Sequence, residues 1–347
     1  MNYIKIISVC TMSLFSFTSL FAQKQVAFVQ NEKEQKIDVM IDGKFFTAYL
    51  YGNKIDKPVL FPLVTASGTT VTRGFPLATR ANERTDHPHH IGMWFNYGDV
   101  NGLDFWNNSD AIKAEEKSKY GSIRHQKIVA LKPGKQKGTL EVSSNWVDIN
   151  GKILIKETTI LRFSGDANSR TVDRITTLTA QQGKVSFKDN KEGVLGIRVT
   201  RELEMPSQKA EIFTDAQGLA TNVAVLNNAG VTGNFLSSKG ITGNEVWGTR
   251  GNWCMIYGQK EGKDIAISII DHPNNPGYPT YWHARGYGLF AANTLGQDVL
   301  SGGKEKLDFS LDAGKSVTFK YRVLVSDSYT PSKETLNKAA ESFAKKS

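Results

Sequence analysis

The sequence predicts an all-β protein, an antiparallel sandwich or barrel, on three observations. Alternating apolar runs recur along the chain, Asp-Gly and Asn-Gly dipeptides stand where such runs reverse, and helical periodicity is nearly absent before the C-terminal segment. No strand-helix-strand alternation is found, which argues against a parallel sheet.

The chain opens with Met1, Asn2, Tyr3 and Lys5, followed by an apolar and Ser/Thr run from Ile6 to Phe21 that ends at Ala22. That is the pattern of a secretory signal peptide cleaved near Ala22. The expected division is a signal peptide over 1–22 and a single β domain over 23–347, exported to the periplasm or outside the cell. Cys10 falls in the signal, so Cys254 is the sole cysteine of the mature chain and no intrachain disulfide is expected.

Lys and Arg number 43 against 34 Asp and Glu, a formal charge of +9 that falls to about +8 with Lys5 removed. The charges are scattered and interleaved rather than gathered on one face, so no nucleic-acid partner is expected. No second apolar run approaches the roughly 20 residues that span a bilayer, so no membrane span is expected. Oligomeric state is not legible in the sequence.

Lys36 to Ile41 alternates, meets Asp42-Gly43 and resumes with Phe45, Thr47 and Tyr49, the mark of a two-residue hairpin. A second hairpin runs from Thr139 to Asp148, through Asn150-Gly151, and back along Lys152 to Phe163. Further strand-like runs are Val172–Thr179, Lys184–Phe187, Gly193–Glu204, Trp253–Tyr257, Asp264–Ile270, Leu307–Leu311 and Ser316–Val325. Thr330 as N-cap and Pro331 at the first position introduce one helix, with Leu336, Ala339, Ala340 and Phe343 on its apolar face. A helical turn is expected over Ser109 to Lys117.

Five constellations carry chemistry-bearing residues. RTDHPHHIG, from Arg84 to Gly92, places His87, His89 and His90 beside Pro88, which is expected to hold the segment extended with His87 and His89 on one side. Imidazoles so placed serve as acids, bases or metal ligands near neutral pH, or satisfy buried backbone groups. YGDVNGLDFW projects Asp104 and Trp106, a carboxylate beside an indole that suits a sugar ring or, equally, a turn before a core pair. FKDNKEG offers Glu192 as a base at a strand end, or a solvated charged turn. VWGTRGNWC sets Arg250 between Trp247 and Trp253, stacked toward a ligand or lying on a surface turn. DHPNNPGYPTYWHARGYGLF gathers Asp271, Tyr281, Trp282, His283 and Arg285 after a strand of alternating Ile265, Ile267 and Ile269. So many polar and aromatic groups read as a lined pocket, since a purely structural role needs each one satisfied when buried.

These same motifs, RTDHPHHIGMWFNYGDVNGLDFW, FKDNKEGVLGIRV, VWGTRGNWC and DHPNNPGYPTYWHARGYGLFAANTLG, resemble the bacterial family called PmoA-like over most of the mature chain. That name suggests a subunit of a membrane methane monooxygenase, whose transmembrane helices have no counterpart after this signal, so no activity is carried over. The closing run LDAGKSVTFKYRVLV is similar to the last strands of galactose-mutarotase-like supersandwich proteins. The resemblance implies a large antiparallel β-supersandwich with a sugar site on one sheet. It also implies mutarotase-type chemistry, in which a His protonates the ring oxygen and a carboxylate takes the anomeric proton. His90 or His283 would fill the first role and Glu192 the second.

The resulting expectation is an exported carbohydrate-active protein, an enzyme doing His/carboxylate acid-base chemistry on a sugar or glycoside by epimerisation, elimination or hydrolysis. Its catalytic residues would be His89, His90, Glu192 and His283. Its carbohydrate ligand would be held by Arg84, His87, Asp104, Trp106, Arg250, Trp253, Asp271, Tyr281, Trp282 and Arg285. One alternative is a non-catalytic glycan-binding protein with Trp106, Trp253 and Trp282 as its platform. Another is a His-ligated, metal-dependent oxidative enzyme, although no spacing here is diagnostic and no residue is assigned to a metal. The sequence identifies no cofactor.

Overall fold

The computed structural model describes residues 25–208, 211–214, 220–223 and 227–345, and the expected signal segment lies outside them. Two eight-stranded antiparallel sheets face each other. In spatial order the first runs Val26–Asn31, Lys36–Ile41, Lys44–Leu50, Val59–Leu60, Met93–Tyr97, Gly193–Arg198, Leu289–Asn293 and Tyr281–Arg285. The second runs Asn234–Ser237, Trp253–Lys260, Lys263–Asp271, Ser316–Asp327, Ser169–Ala180, Ile153–Gly165, Lys137–Val147 and Ser122–Lys132.

Period-two alternation drives this packing. In Lys137–Val147 burial switches at every residue, sending Leu140, Val142 and Trp146 inward. They meet Phe46, Phe95, Leu195, Ile197 and Phe290 of the first sheet in one continuous core with Leu161, Val172, Ile267 and Phe319. Each such side chain contributes on the order of 1.5–3 kcal/mol by leaving water.

Met93–Tyr97, Gly193–Arg198 and Leu289–Asn293 break the alternation, because every residue in them is buried. Their second face is covered by a separate apolar layer of Ile55, Val59, Ile91, Trp94, Trp106 and Leu289. Gly196 leaves room there, since a Cβ on it would stand 2.5 Å from the Trp94 ring and 3.0 Å from the Trp106 ring. The candidate site is built on this outer layer.

Asp42 and Gly43 both take positive φ, 52° and 74°, as a two-residue hairpin requires. The second hairpin closes through a longer loop, in which Asp148 Oδ1 accepts from the backbone N–H of Asn150 and of Lys152. The C-terminal helix spans Lys333–Ala344, and Ser332 rather than Thr330 caps it, its hydroxyl accepting from Thr335 N. Leu336, Ala340 and Phe343 pack it over Trp253, Met255 and Ile270 on the outer face of the second sheet. The turn expected over 109–117 appears as a 3₁₀ segment at Ala114–Lys119. The run expected from Gly193 to Glu204 leaves the sheet after Arg198 and closes with a 3₁₀ turn at Arg201–Leu203.

Candidate functional site

The His-rich loop is folded around a charge. Arg73 is fully buried and donates to the carbonyls of Arg84, Asp86, His87 and His90 and to Asp86 Oδ1 at 2.6 Å. Arg198, equally buried on the outer face of the first sheet, donates to the same Oδ1 at 2.7 Å and to His90 Nδ1 at 3.2 Å. Burial pushes the Arg73 guanidinium down to about 9, and the like charge of Arg198 adds to this while Asp86 opposes it. Asp86 is the counter-ion that makes two interior guanidiniums tolerable. Although burial works against it, a hydrogen bond from His87 and the charges of Arg198 and Arg73 hold the Asp86 carboxyl far below the usual range.

The second oxygen of Asp86 faces His87 Nδ1 at 2.9 Å. This assigns the ring proton to Nδ1 and leaves a lone pair on Nε2. The His87 side chain is 41% exposed, whereas His89 and His90 are 8% and 1% exposed as residues. The loop is not extended at Pro88 as expected, because His87 takes φ 45° and His90 N bonds back to His87 O at 3.0 Å. The turn brings all three rings together. His87 lies parallel to Tyr287 at 5.2 Å and to His90 at 4.9 Å, and His90 in turn lies on Trp94 at 5.0 Å. Burial drives His89 down to about 2, aided by the charges of Lys57 and His87, and drives His90 well below its ordinary value. Burial thus disfavours the charged form of both rings.

His283 and Arg285 lie on the edge strand Tyr281–Arg285. Alternation turns Trp282 and Ala284 into the core and His283 and Arg285 onto the same outer face as Arg198. His283 Nδ1 stands 3.6 Å from Glu192 Oε2, and its Nε2 accepts from Arg285 Nε at 3.3 Å. Burial, then the charges of Arg285 and Lys191, push His283 down to about 3. The Arg285 guanidinium lies over the Trp247 ring at 4.9 Å and that of Arg198 over Tyr287 at 4.7 Å. Tyr287 thus joins the His loop to a cleft of about 490 Å³ lined by Arg84, Met205, Asn244, Trp247, Arg285 and Tyr287 among others. Burial raises the Tyr287 hydroxyl to about 12, with the charges of Arg198 and Glu192 acting in opposite directions.

The structure therefore brings His87, His89, His90, Glu192, His283, Arg285 and Arg84 around Tyr287, with Trp106 as part of the buried floor. The others it places elsewhere. Asp104 closes its own turn, accepting from the N–H of Trp106 and Asn107 and from the Asn107 side chain. Arg250 staples a loop through the carbonyls of Gly277 and Pro279, pairs with Glu305 and lies over Tyr281 rather than over a tryptophan. Asp271 is buried beneath that loop, accepting from His272 N, Asn275 Nδ2 and Thr280 N. Trp106, Trp253 and Trp282 are each 0% exposed, so none offers a face to a guest. Trp253 instead donates to Asn337 under the C-terminal helix at 2.7 Å.

Sequence reasoning missed Arg73, Asp86 and Arg198 as site residues, and missed Tyr287. An arginine inside the otherwise apolar strand GVLGIR was the signal for Arg198. Among the described residues, no group of three or more His, Cys, Asp or Glu is placed to hold a metal ion.

The chain belongs to the family of unknown function DUF6807, whose pattern matches residues 36–341. No curated protein matches it. Among solved structures it is similar to a putative aldose 1-epimerase from Escherichia coli K12, at 12% identity and a TM-score of 0.31 over 88% of this chain and 99% of that one. A galactose mutarotase-like protein from Lactobacillus casei ATCC 334 is similar at 8% identity and a TM-score of 0.31 over 86% and 99%. An α-galactosidase from Lactobacillus brevis is similar at 9% identity and a TM-score of 0.39 over 87% of this chain. This chain spans only 39% of that galactosidase, and 42% of the galactosidase domain of an α-galactosidase-sucrose kinase. None of these matches supports the PmoA-like resemblance.

Proposed function

We propose that the protein is a carbohydrate-active enzyme in which His87, oriented by Asp86, moves a proton to or from a sugar held against Tyr287 and Trp247. The observation that carries this reading is the dyad itself. A carboxylate pinned by two buried arginines faces Nδ1 of the one histidine of the loop that solvent reaches, so Nε2 is free to take a proton and return it. As Nε2 is protonated, Asp86 offsets the imidazolium charge. Glu192, beside His283 at 3.6 Å, is the second group of an acid-base pair. Epimerisation, elimination and hydrolysis each need two such groups placed apart.

This assignment moves the acid role away from His90 and His283. Both are buried and neutral, so neither carries a proton to donate as a cation. They serve instead as fixed neighbours: His90 accepts from Arg198, and His283 orients Arg285. The aromatic side chains available to the sugar are those that line the cleft, Trp247 and Tyr287, not the three buried tryptophans.

The test is a panel of aldoses and glycosides followed by proton NMR, using wild type and His87→Gln. Turnover of at least one saccharide is expected, reduced by about 10²–10⁴ in the variant, the usual contribution of a positioned acid or base. Undiminished turnover by the variant overturns the assignment. Saccharide binding without turnover by wild type replaces the enzyme with a binding protein.

A further inference from the structure

Resting on that reading, we infer that the sugar carries a carboxylate, as in a uronic acid, and that Arg285 is the residue that receives it. The guanidinium lies flat over the Trp247 ring at 4.9 Å and spends its Nε on His283 Nε2 at 3.3 Å. Stacking and that single bond fix the plane of the fork. No ion pair joins Arg285 to any carboxylate among the described residues, in contrast to the arginines around it. Arg84 and Arg201 share Glu204, and Arg73 and Arg198 share Asp86. No Asp or Glu lines the cleft among the described residues, whereas two arginines do.

A half-buried guanidinium that is oriented but not neutralised, in a concave site without acids, is complementary to an oxyanion. Its planar N–H edge can take a two-oxygen oxyanion edge in the bidentate way of an Arg–carboxylate pair, and a sulfated sugar is the competing guest that the test includes. Trp247 and Tyr287 both line the same cleft as Arg285, so aromatic rings stand beside the carboxylate site. Tyr287, which lines the cleft, also carries His87 of the dyad against its ring. A carboxylate neutralised by an arginine acidifies the C–H beside it, the position a base would attack in epimerisation or elimination.

The experiment is calorimetric titration of wild type, Arg285→Gln and Arg285→Lys with methyl glucuronides and galacturonides, their methyl esters, the matching neutral glycosides and a 6-sulfated glycoside. A uronide is expected to bind at least about tenfold tighter than its ester, a difference of one decade in Kd. Arg285→Gln should erase that preference while keeping the affinity for neutral glycosides, and Arg285→Lys should restore part of it. Thermal melts of the variants establish that they are folded. Equal binding of acid, ester and neutral glycoside overturns the inference and leaves the sugar reading standing. Tighter binding of the sulfated glycoside overturns the choice of carboxylate. If simple aliphatic carboxylates bind through Arg285 and no saccharide does, recognition of the acid stands and the sugar reading falls. Absence of binding by every acid in the panel overturns the inference.

Discussion

Asp86-His87-Pro88 and Asp271-His272-Pro273 are the same tripeptide in one chain, and the fold gives them opposite fates. In the first, arginines surround the carboxylate and hold it charged, and the histidine reaches solvent. In the second, burial raises the Asp271 carboxyl to about 7 against the pull of three N–H donors, and His272 is buried edge-on to Phe343 at 5.1 Å. The first tripeptide is the one the proposed reading assigns to chemistry, and the second braces the loop beneath the C-terminal helix. What separates them is whether the partner of the Asp is a guanidinium or an amide, and that partner comes from a distant strand in one case and from the same loop in the other.

Replacing the two aspartates with Asn is the sharpest way to break this comparison. Asp86→Asn leaves Arg73 and Arg198 without their counter-ion, so it should cost about 3–5 kcal/mol of stability. In the surviving folded fraction it should also lower turnover by about 10²–10⁴. Asp271→Asn keeps a neutral group where burial already favours one and loses one hydrogen bond, a cost of about 1–3 kcal/mol, with turnover per folded molecule unchanged. Urea titration and activity normalised to folded protein check both. Equal stability losses would show that the arginines do not depend on Asp86.

A second pair sharpens the same contrast. His272→Ala removes a buried ring from the underside of the C-terminal helix and should cost about 2–4 kcal/mol with the site intact. His87→Ala should cost less than about 1 kcal/mol and lose turnover, since its ring is half exposed. A large destabilisation from His87→Ala would recast that residue as structural.

The smallest effect is read from pH. His89, His90 and His283 have folded values depressed below the unfolded 6.5, to about 2 for His89 and about 3 for His283, so the unfolded chain binds more protons between these limits. Their contribution is complete above about 6.5 and is lost as pH falls toward 3. Asp271 runs the other way, being complete below 3.8 and lost as pH rises to about 7. Each such histidine therefore pulls stability down as pH falls from 6.5 to 5. His283→Gln should remove about 1.4 kcal/mol per pH unit from that slope. A slope that does not change would place a charged imidazole in the native state.

How much of this was legible depends on the range of the interactions. The hairpin at Asp42-Gly43 was readable because its positive φ values are a local demand met by local residues. The apolar face of the last helix was readable for the same reason, although Ser332, two residues on, made the better cap. His87, His283 and Arg285 stood out by composition. Their roles did not, because Arg73 lies in no strand-like run, and only the folded chain brings it and Arg198 of the distant strand Gly193–Arg198 together on Asp86. The tryptophans show the limit most plainly. Trp247, Trp253 and Trp282 all stand in the motifs that read as one site, yet of the three only Trp247 lines the cleft, because sheet register and the C-terminal helix cover the other two.

The grip of Arg73 on four carbonyls means that the loop cannot relax one peptide at a time. Releasing the His87 or the His90 carbonyl strands an Nη2 hydrogen in a medium that cannot solvate it. That wall of the site is consequently a rigid template, set before any guest arrives. Adaptation to guests of different outline falls to the opposite wall, where the unbranched thioether of Met205 is the most compliant surface.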